Sequence, residues 1–174
     1  MSDYRRIWIP GGTYFFTLAI ADRTQALLVE HIDTLRAAFA WTHRRHPFRT
    51  DAVVVLPDHL HAIWTLPEGD AEFALRWKLI KESFSRHLPR TETCSPSRRR
   101  KGERGIWQRR YWEHAIRDER DLAAHVDYVH INPVKHGHVR RASDWPYSSF
   151  HRFAREGKLT PDWAADANLV KTGE

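Results

Sequence analysis

Between Thr13 and Ile20 the chain reads Thr-Tyr-Phe-Phe-Thr-Leu-Ala-Ile, an uncharged run of aromatic and β-branched residues. It predicts a first strand, central in a sheet and buried on both faces. From about Glu30 the period lengthens. Ile32, Leu35, Phe39 and Thr42 recur at helical spacing, with Arg36, Arg44 and Arg45 on other faces, and the pattern ends before Pro47. Asp51 to Leu56 predicts a second strand, Pro57-Asp58 a turn, and His59 to Leu66 a third strand; so short a connection requires an antiparallel hairpin. After Pro67-Glu68-Gly69, Asp70 is the expected N-cap of a helix. Phe73, Trp77, Ile80 and Phe84 then form an apolar stripe that reads as core packing, while Lys78, Lys81 and Arg86 face elsewhere.

Residues 88–105 lack periodicity and hold Pro89, Pro96 and the run Arg98-Arg99-Arg100-Lys101. They predict a mobile basic loop: a solvated connection or, by the sign and density of its charge, an arm for phosphates. The alternation around Tyr111 to Arg117 predicts a fourth strand. Asp118 caps a last long helix, with Asp121 favouring the same end, and Pro133 is expected to stop it at about Asn132. Trp145 to Phe150 and Trp163 are expected to pack over the domain edge, leaving 164–174 as a loose tail. The whole, residues 1–174, reads as one α+β domain. Strand, helix, strand, strand, helix, strand is the ferredoxin-like order, a four-stranded antiparallel sheet with helices on one face, and the last helix is extra to it.

Composition narrows the partners. Lys and Arg number 28 against 22 acids with 12 His, a formal charge of +6, which suits an anionic partner, nucleic acid being the commonest. The single cysteine, Cys94, excludes an internal disulfide framework and a cysteine-based zinc site. No membrane span and no signal-peptide core are expected, which predicts a soluble cytoplasmic protein.

The candidate chemistry starts at His59 and His61, which leave the same face of a strand and offer two imidazoles for one divalent ion. On the last helix, Leu122, Val126, Val129 and Pro133 form an apolar stripe, beside a polar stripe of Asp121, His125, Tyr128 and Asn132. Docked by the first stripe, the helix presents Tyr128 and Asn132 one turn apart. Asn132 can give a third ligand oxygen, and the Tyr128 hydroxyl can attack a phosphodiester polarised by the metal. Each part also has an ordinary packing explanation; their joint spacing gives them direction. His114, His125, His130, His136 and His138 are further possible ligands. Arg5, Arg6, Lys78, Lys81, Arg98, Arg99, Arg100, Lys101, Arg109 and Arg110 are candidate phosphate contacts.

Leu56-Pro57-Asp58-His59-Leu60-His61 and Tyr128-Val129-His130-Ile131-Asn132-Pro133-Val134-Lys135-His136-Gly137 closely resemble the REP-associated tyrosine transposases, a group of single-tyrosine HUH transposases. Further likeness lies in Gly11 to Thr17, Ile106 to His114 and Trp145 to His151, so that the resemblance covers residues 4 to 163. It implies a ferredoxin-like core and cleavage and rejoining of single-stranded DNA at REP-type (BIME-type) palindromic hairpins. It also implies Mg2+ or Mn2+, a 5′-phosphotyrosine intermediate, a monomer and a place at the nucleoid. By position His59 and His61 match the metal pair and Tyr128 the nucleophile. Asn132 stands where the wider group carries a longer Gln. Two other functions compete: a catalytically silent hairpin-binding regulator of the same fold, and a metal-dependent hydrolase using water. The second is disfavoured because Ile63 occupies the place of the usual extra acid. Tyr111 and Tyr147 are the alternative nucleophiles.

Overall fold

The computed structural model describes residues 7–164; Arg5, Arg6 and the expected tail from residue 165 onward lie outside them. Strand β1 (Thr13–Ala19) is central. It pairs antiparallel with β3 (His59–Thr65) from Thr13↔Thr65 to Ala19↔His59, and with β4 (Trp112–Ala115) around Phe15↔His114. Strand β2 (Arg49–Val55) completes the sheet in the order β2-β3-β1-β4, the ferredoxin-like arrangement. Alternation along β1 and β3 divides their residues by parity. Tyr14, Phe16, Leu18, Leu60, Ala62 and Trp64 enter the larger core. Phe15 and Ile63 enter a second one, with Ala52 and Val54.

Helices α1 (Leu27–Glu30), α2 (Ile32–Arg45) and α3 (Phe73–Arg86) belong to the larger core, where Phe73, Trp77, Ile80 and Phe84 are wholly buried and Trp77 stacks on Trp64 at 3.9 Å. Asp70 is not the N-cap of α3. That place falls to Glu72, which makes no capping bond; Asp70 accepts from the Glu72 N–H at 2.7 Å just outside the helix and pairs with Arg76. Arg76 is 1% exposed, and its guanidinium also donates to the carbonyls of His46, Pro47 and Glu72. A buried cation has to be neutralised and fully hydrogen-bonded, and Asp70 supplies the charge. Asp70→Ala is therefore expected to cost about 2 kcal/mol in urea unfolding, below the roughly 3–5 kcal/mol of a fully buried pair. The discount reflects the 29% exposure of the Asp70 side chain.

Within 88–105 the chain forms α4 (Pro96–Arg100), capped by Ser95. Arg104 ties the segment down through the Glu92 carboxylate and the carbonyls of Ser85, Leu88 and Pro89. β4 is shorter than the alternation suggests, and Trp107 adds only an isolated bridge to Ile20.

Helix α5 (Glu119–Lys135) covers the other sheet face, Val129 packing with Phe15, Val54 and Ile63. Asp118 caps it as expected, accepting from Asp121 N at 2.8 Å. It runs through Pro133, past the expected stop at Asn132. Burial of Val129 to Pro133 outweighs the hydrogen bond a proline removes. Gly137, at φ 72°, then ends it in the left-handed conformation. The chain next follows the free edge of β2, with Tyr147 O accepting from Val55 N and Ser149 N donating to Val53 O, each at 2.8 Å. This covers an edge otherwise open to pairing and leads into α6 (Phe150–Arg155). Among the described residues no helix is long and apolar enough to cross a membrane.

Candidate active site

His59 and His61 stand side by side under α5, 4% and 3% exposed, with ring centroids 5.1 Å apart. Their outer nitrogens are engaged. His59 Nδ1 lies 2.7 Å from Asp58 Oδ1, and a carboxylate only accepts, so Nδ1 carries the hydrogen and Nε2 keeps its lone pair. Arg23 holds the same carboxylate from outside. Burial would raise Asp58, but the hydrogen bonds from His59 and Arg23 outweigh it and hold its carboxyl below the usual range. His61 Nδ1 is 2.8 Å from Thr17 Oγ1, which leaves Nε2. Burial lowers both histidines, His61 to about 3, so both imidazoles are neutral near pH 7.

Asn132 is completely buried. Its Nδ2 donates to Tyr128 O at 3.0 Å, which turns Oδ1 the other way. Asn132 Oδ1 and His61 Nε2 are both buried with no hydrogen-bond partner, and Asn132 is near enough to His61 to favour its protonated form. Two orphaned buried polar atoms cost about 1–3 kcal/mol each. With His59 they make a donor set of two nitrogens and an amide oxygen that fits a divalent cation. The Tyr128 ring lies 5.2 Å from His61 and 5.8 Å from Phe15. Lys135 Nζ sits 5.1 Å from the centroid of that same ring.

The structure thus brings His59, His61, Tyr128 and Asn132 together. His136 joins them at the mouth, 5.0 Å from His59, its imidazole lowered by partial burial and by His59; His138 follows at 6.3 Å from His136. His114 and His125 stand elsewhere, stacked at 4.7 Å with Asp121 between them. His130 points away, bonded to Ser149 Oγ at 2.8 Å. Tyr111 packs against Phe16 and Trp77 in the opposite core, and Tyr147 packs beside Trp145; neither is beside the two histidines.

Three contributors escaped the pattern reading. Asp58 was signalled only by adjacency to His59, and Lys135 by its seven-residue spacing from Tyr128, two turns along one helix face. Thr17 gave no signal, since it meets His61 through strand register.

The basic candidates gather on the α3 side of the sheet. Lys78, Lys81, Arg98, Lys101 and Arg109 line an open groove of about 710 Å³, together with Arg86 and Arg90. Several are partly engaged: Lys81 donates to Gln108 O, Arg98 to Trp107 O, Arg99 to Cys94 O, and Arg109 pairs with Glu103. Arg100 and Arg110 are exposed nearby in sequence.

Burial lowers His130 from 6.5 to about 4, with Arg152 adding to the effect. The unfolded chain therefore binds the extra proton between those values, and stability rises with pH across that window. It is complete above about pH 6.5 and falls by roughly 3 kcal/mol toward pH 4. Urea titrations over this range check it, and His130→Gln should flatten the slope.

No protein-family model matches the chain. A REP-associated tyrosine transposase of Escherichia coli is 48% identical over all of this chain and 98% of its own length. A relative from Haemophilus influenzae that bears the same family designation is 45% identical over all of this chain and 99% of its own. A solved structure, described as a REP-associated tyrosine transposase bound to a REP hairpin, superposes with a TM-score of 0.83 at 46% identity. That superposition covers 100% of this chain and 98% of the other.

Proposed function

The chain belongs to the REP-associated tyrosine transposase family, and we propose that it cleaves and rejoins single-stranded DNA at palindromic hairpins through Tyr128. The observation that carries this reading is the Tyr128 ring 5.2 Å from His61, whose buried Nε2 and the neighbouring Asn132 Oδ1 have no partner. The Tyr128 oxygen forms a bond to the scissile phosphorus as the bond from phosphorus to the 3′ oxygen breaks. The tyrosine proton is lost, the 3′ oxygen takes one up, and the products are a 5′-phosphotyrosine and a free 3′-hydroxyl. Because the phosphoester energy is kept in the enzyme–DNA link, attack by a 3′-hydroxyl reverses the step as rejoining.

His59 Nε2, His61 Nε2 and Asn132 Oδ1 would hold Mg2+ or Mn2+, which supplies Lewis-acid polarisation of a non-bridging phosphate oxygen. Asp58 and Thr17 fix the two rings so that these nitrogens are presented together. α5 holds Tyr128 on a rigid element, limiting the orientational freedom lost in attack. Lys135, beside the tyrosine ring, brings a positive charge to where the phosphate would dock. The groove beside α3 is the surface we assign to the phosphate backbone of the hairpin stem. Because α5 folds onto its own sheet, one chain holds every residue of this site, and a monomer suffices.

The test is incubation of the full chain with a hairpin oligonucleotide carrying a single-stranded flank, in Mg2+ or Mn2+, followed by denaturing electrophoresis. A covalent adduct with equimolar free 3′ product is expected. Cleavage without adduct would move the nucleophile to water, and tight binding without either product would favour a silent hairpin binder.

A further inference from the structure

A second cluster of ligating side chains joins β4 to the start of the tyrosine helix. We propose that His114, Asp121 and His125 form a metal site of their own, distinct from His59, His61 and Asn132, that takes a transition ion of the Zn2+ class. One ligand atom from each of the three lies within 4.8 Å of the other two. His114 Nε2 is 2.9 Å from Asp121 Oδ2, and His125 Nδ1 is 3.1 Å from Asp121 Oδ1 and 2.8 Å from the Asp121 carbonyl oxygen. Each of these nitrogens therefore carries a hydrogen that a bound ion would displace. The cluster is held from several directions. Strand register sets His114 opposite Phe15, the Phe15 ring lies 4.9 Å from His125, and the two imidazoles stack within 16° of parallel.

Asp121 is anchored as well, since its Oδ2 accepts from the backbone N–H of Arg117 at 3.0 Å and from its Nε at 3.2 Å. Burial opposes ionisation there, but the hydrogen bonds from His114 and Arg117 prevail and keep the carboxyl anionic. The imidazole side chains are 28% and 24% exposed, which leaves an entry for the ion and coordination positions for water. Two imidazoles and a carboxylate suit Zn2+, Co2+ or Ni2+. Asp121 precedes Tyr128 by seven residues on one face of α5. An ion here would clamp that helix to β4 and act as a positioning element, remote from the phosphate.

The experiment is Zn2+ binding by chelator competition on the full chain carrying His59→Ala and His61→Ala, so that the first site cannot contribute. One tight equivalent of Zn2+ is expected to remain, and to raise the melting temperature. Adding His114→Ala, or independently His125→Gln, should weaken that equivalent at least tenfold and remove the thermal shift. Both side chains are partly exposed, so these variants should fold, which circular dichroism checks. Absence of Zn2+ binding once His59 and His61 are gone overturns the proposal. So does binding indifferent to both added substitutions, which would mark scattered surface histidines.

Discussion

Tyr128→Phe is expected to eliminate the covalent protein–DNA adduct and to lower strand cleavage by on the order of 10⁴-fold or more, the scale of losing a covalent nucleophile. The substitution removes one hydroxyl and keeps the ring that packs against His61 and Phe15. Stability should therefore change by less than about 1.5 kcal/mol. Hairpin affinity should also persist, because the basic groove lies on the α3 side of the sheet while Tyr128 rides on the helix covering the other face. Denaturing gels and a binding titration on the same protein separate the two quantities. An adduct formed by Tyr128→Phe at the parental rate would sink the assignment, and peptide mapping of that adduct would identify the residue used instead.

Loss of the paired imidazoles comes next in size. His61→Ala, or removal of divalent cations by a chelator, is expected to reduce adduct formation by roughly 10²–10³-fold or more, the scale of losing one electrophilic stabiliser of a developing oxyanion. Restoring Mn2+ after chelation should recover the parental enzyme and leave His61→Ala inactive. The variant should not be badly destabilised in the absence of metal. Truncation leaves a small cavity, but it also removes a buried nitrogen that has no hydrogen-bond partner. Adduct yields that are the same with and without chelator would refute the cation's role while leaving Tyr128 untouched.

Much of this architecture is legible in the residue pattern. β1 announces itself by an uncharged aromatic run, and α3 by Phe73, Trp77, Ile80 and Phe84, all wholly buried. The polar stripe on α5 brings Tyr128 and Asn132 beside the histidine strand, because docking by Val129 leaves that stripe little choice. What pattern misses is set by long-range pairing or by competition between local preferences. Asp70 has the chemistry of a cap, but the helix starts only at Phe73, and the carboxylate divides itself between the Glu72 N–H and the buried arginine six residues later. Pro133 carries a stop signal, yet burial of the turn from Val129 to Pro133 carries the helix on to Lys135. Thr17 is bound to His61 across 44 positions, and only register brings them together. The partition of basic side chains to the α3 side was equally hidden, since charge density along a chain says nothing about which sheet face it reaches.

The parity of β3 has a consequence for how this protein can change. In seven residues, His59 and His61 face the proposed site under α5 while Leu60, Ala62 and Trp64 fill the larger core. A slip by one position would exchange the two sets, carrying Trp64 beneath α5 and an imidazole into an aromatic interior. Insertions and deletions in the hairpin from Val55 to His59 are therefore filtered twice, once by folding and once by catalysis. Substitutions can drift there singly, but chain length cannot. A lineage that loses the chemistry should lose the histidines first and keep the hairpin's length long afterwards.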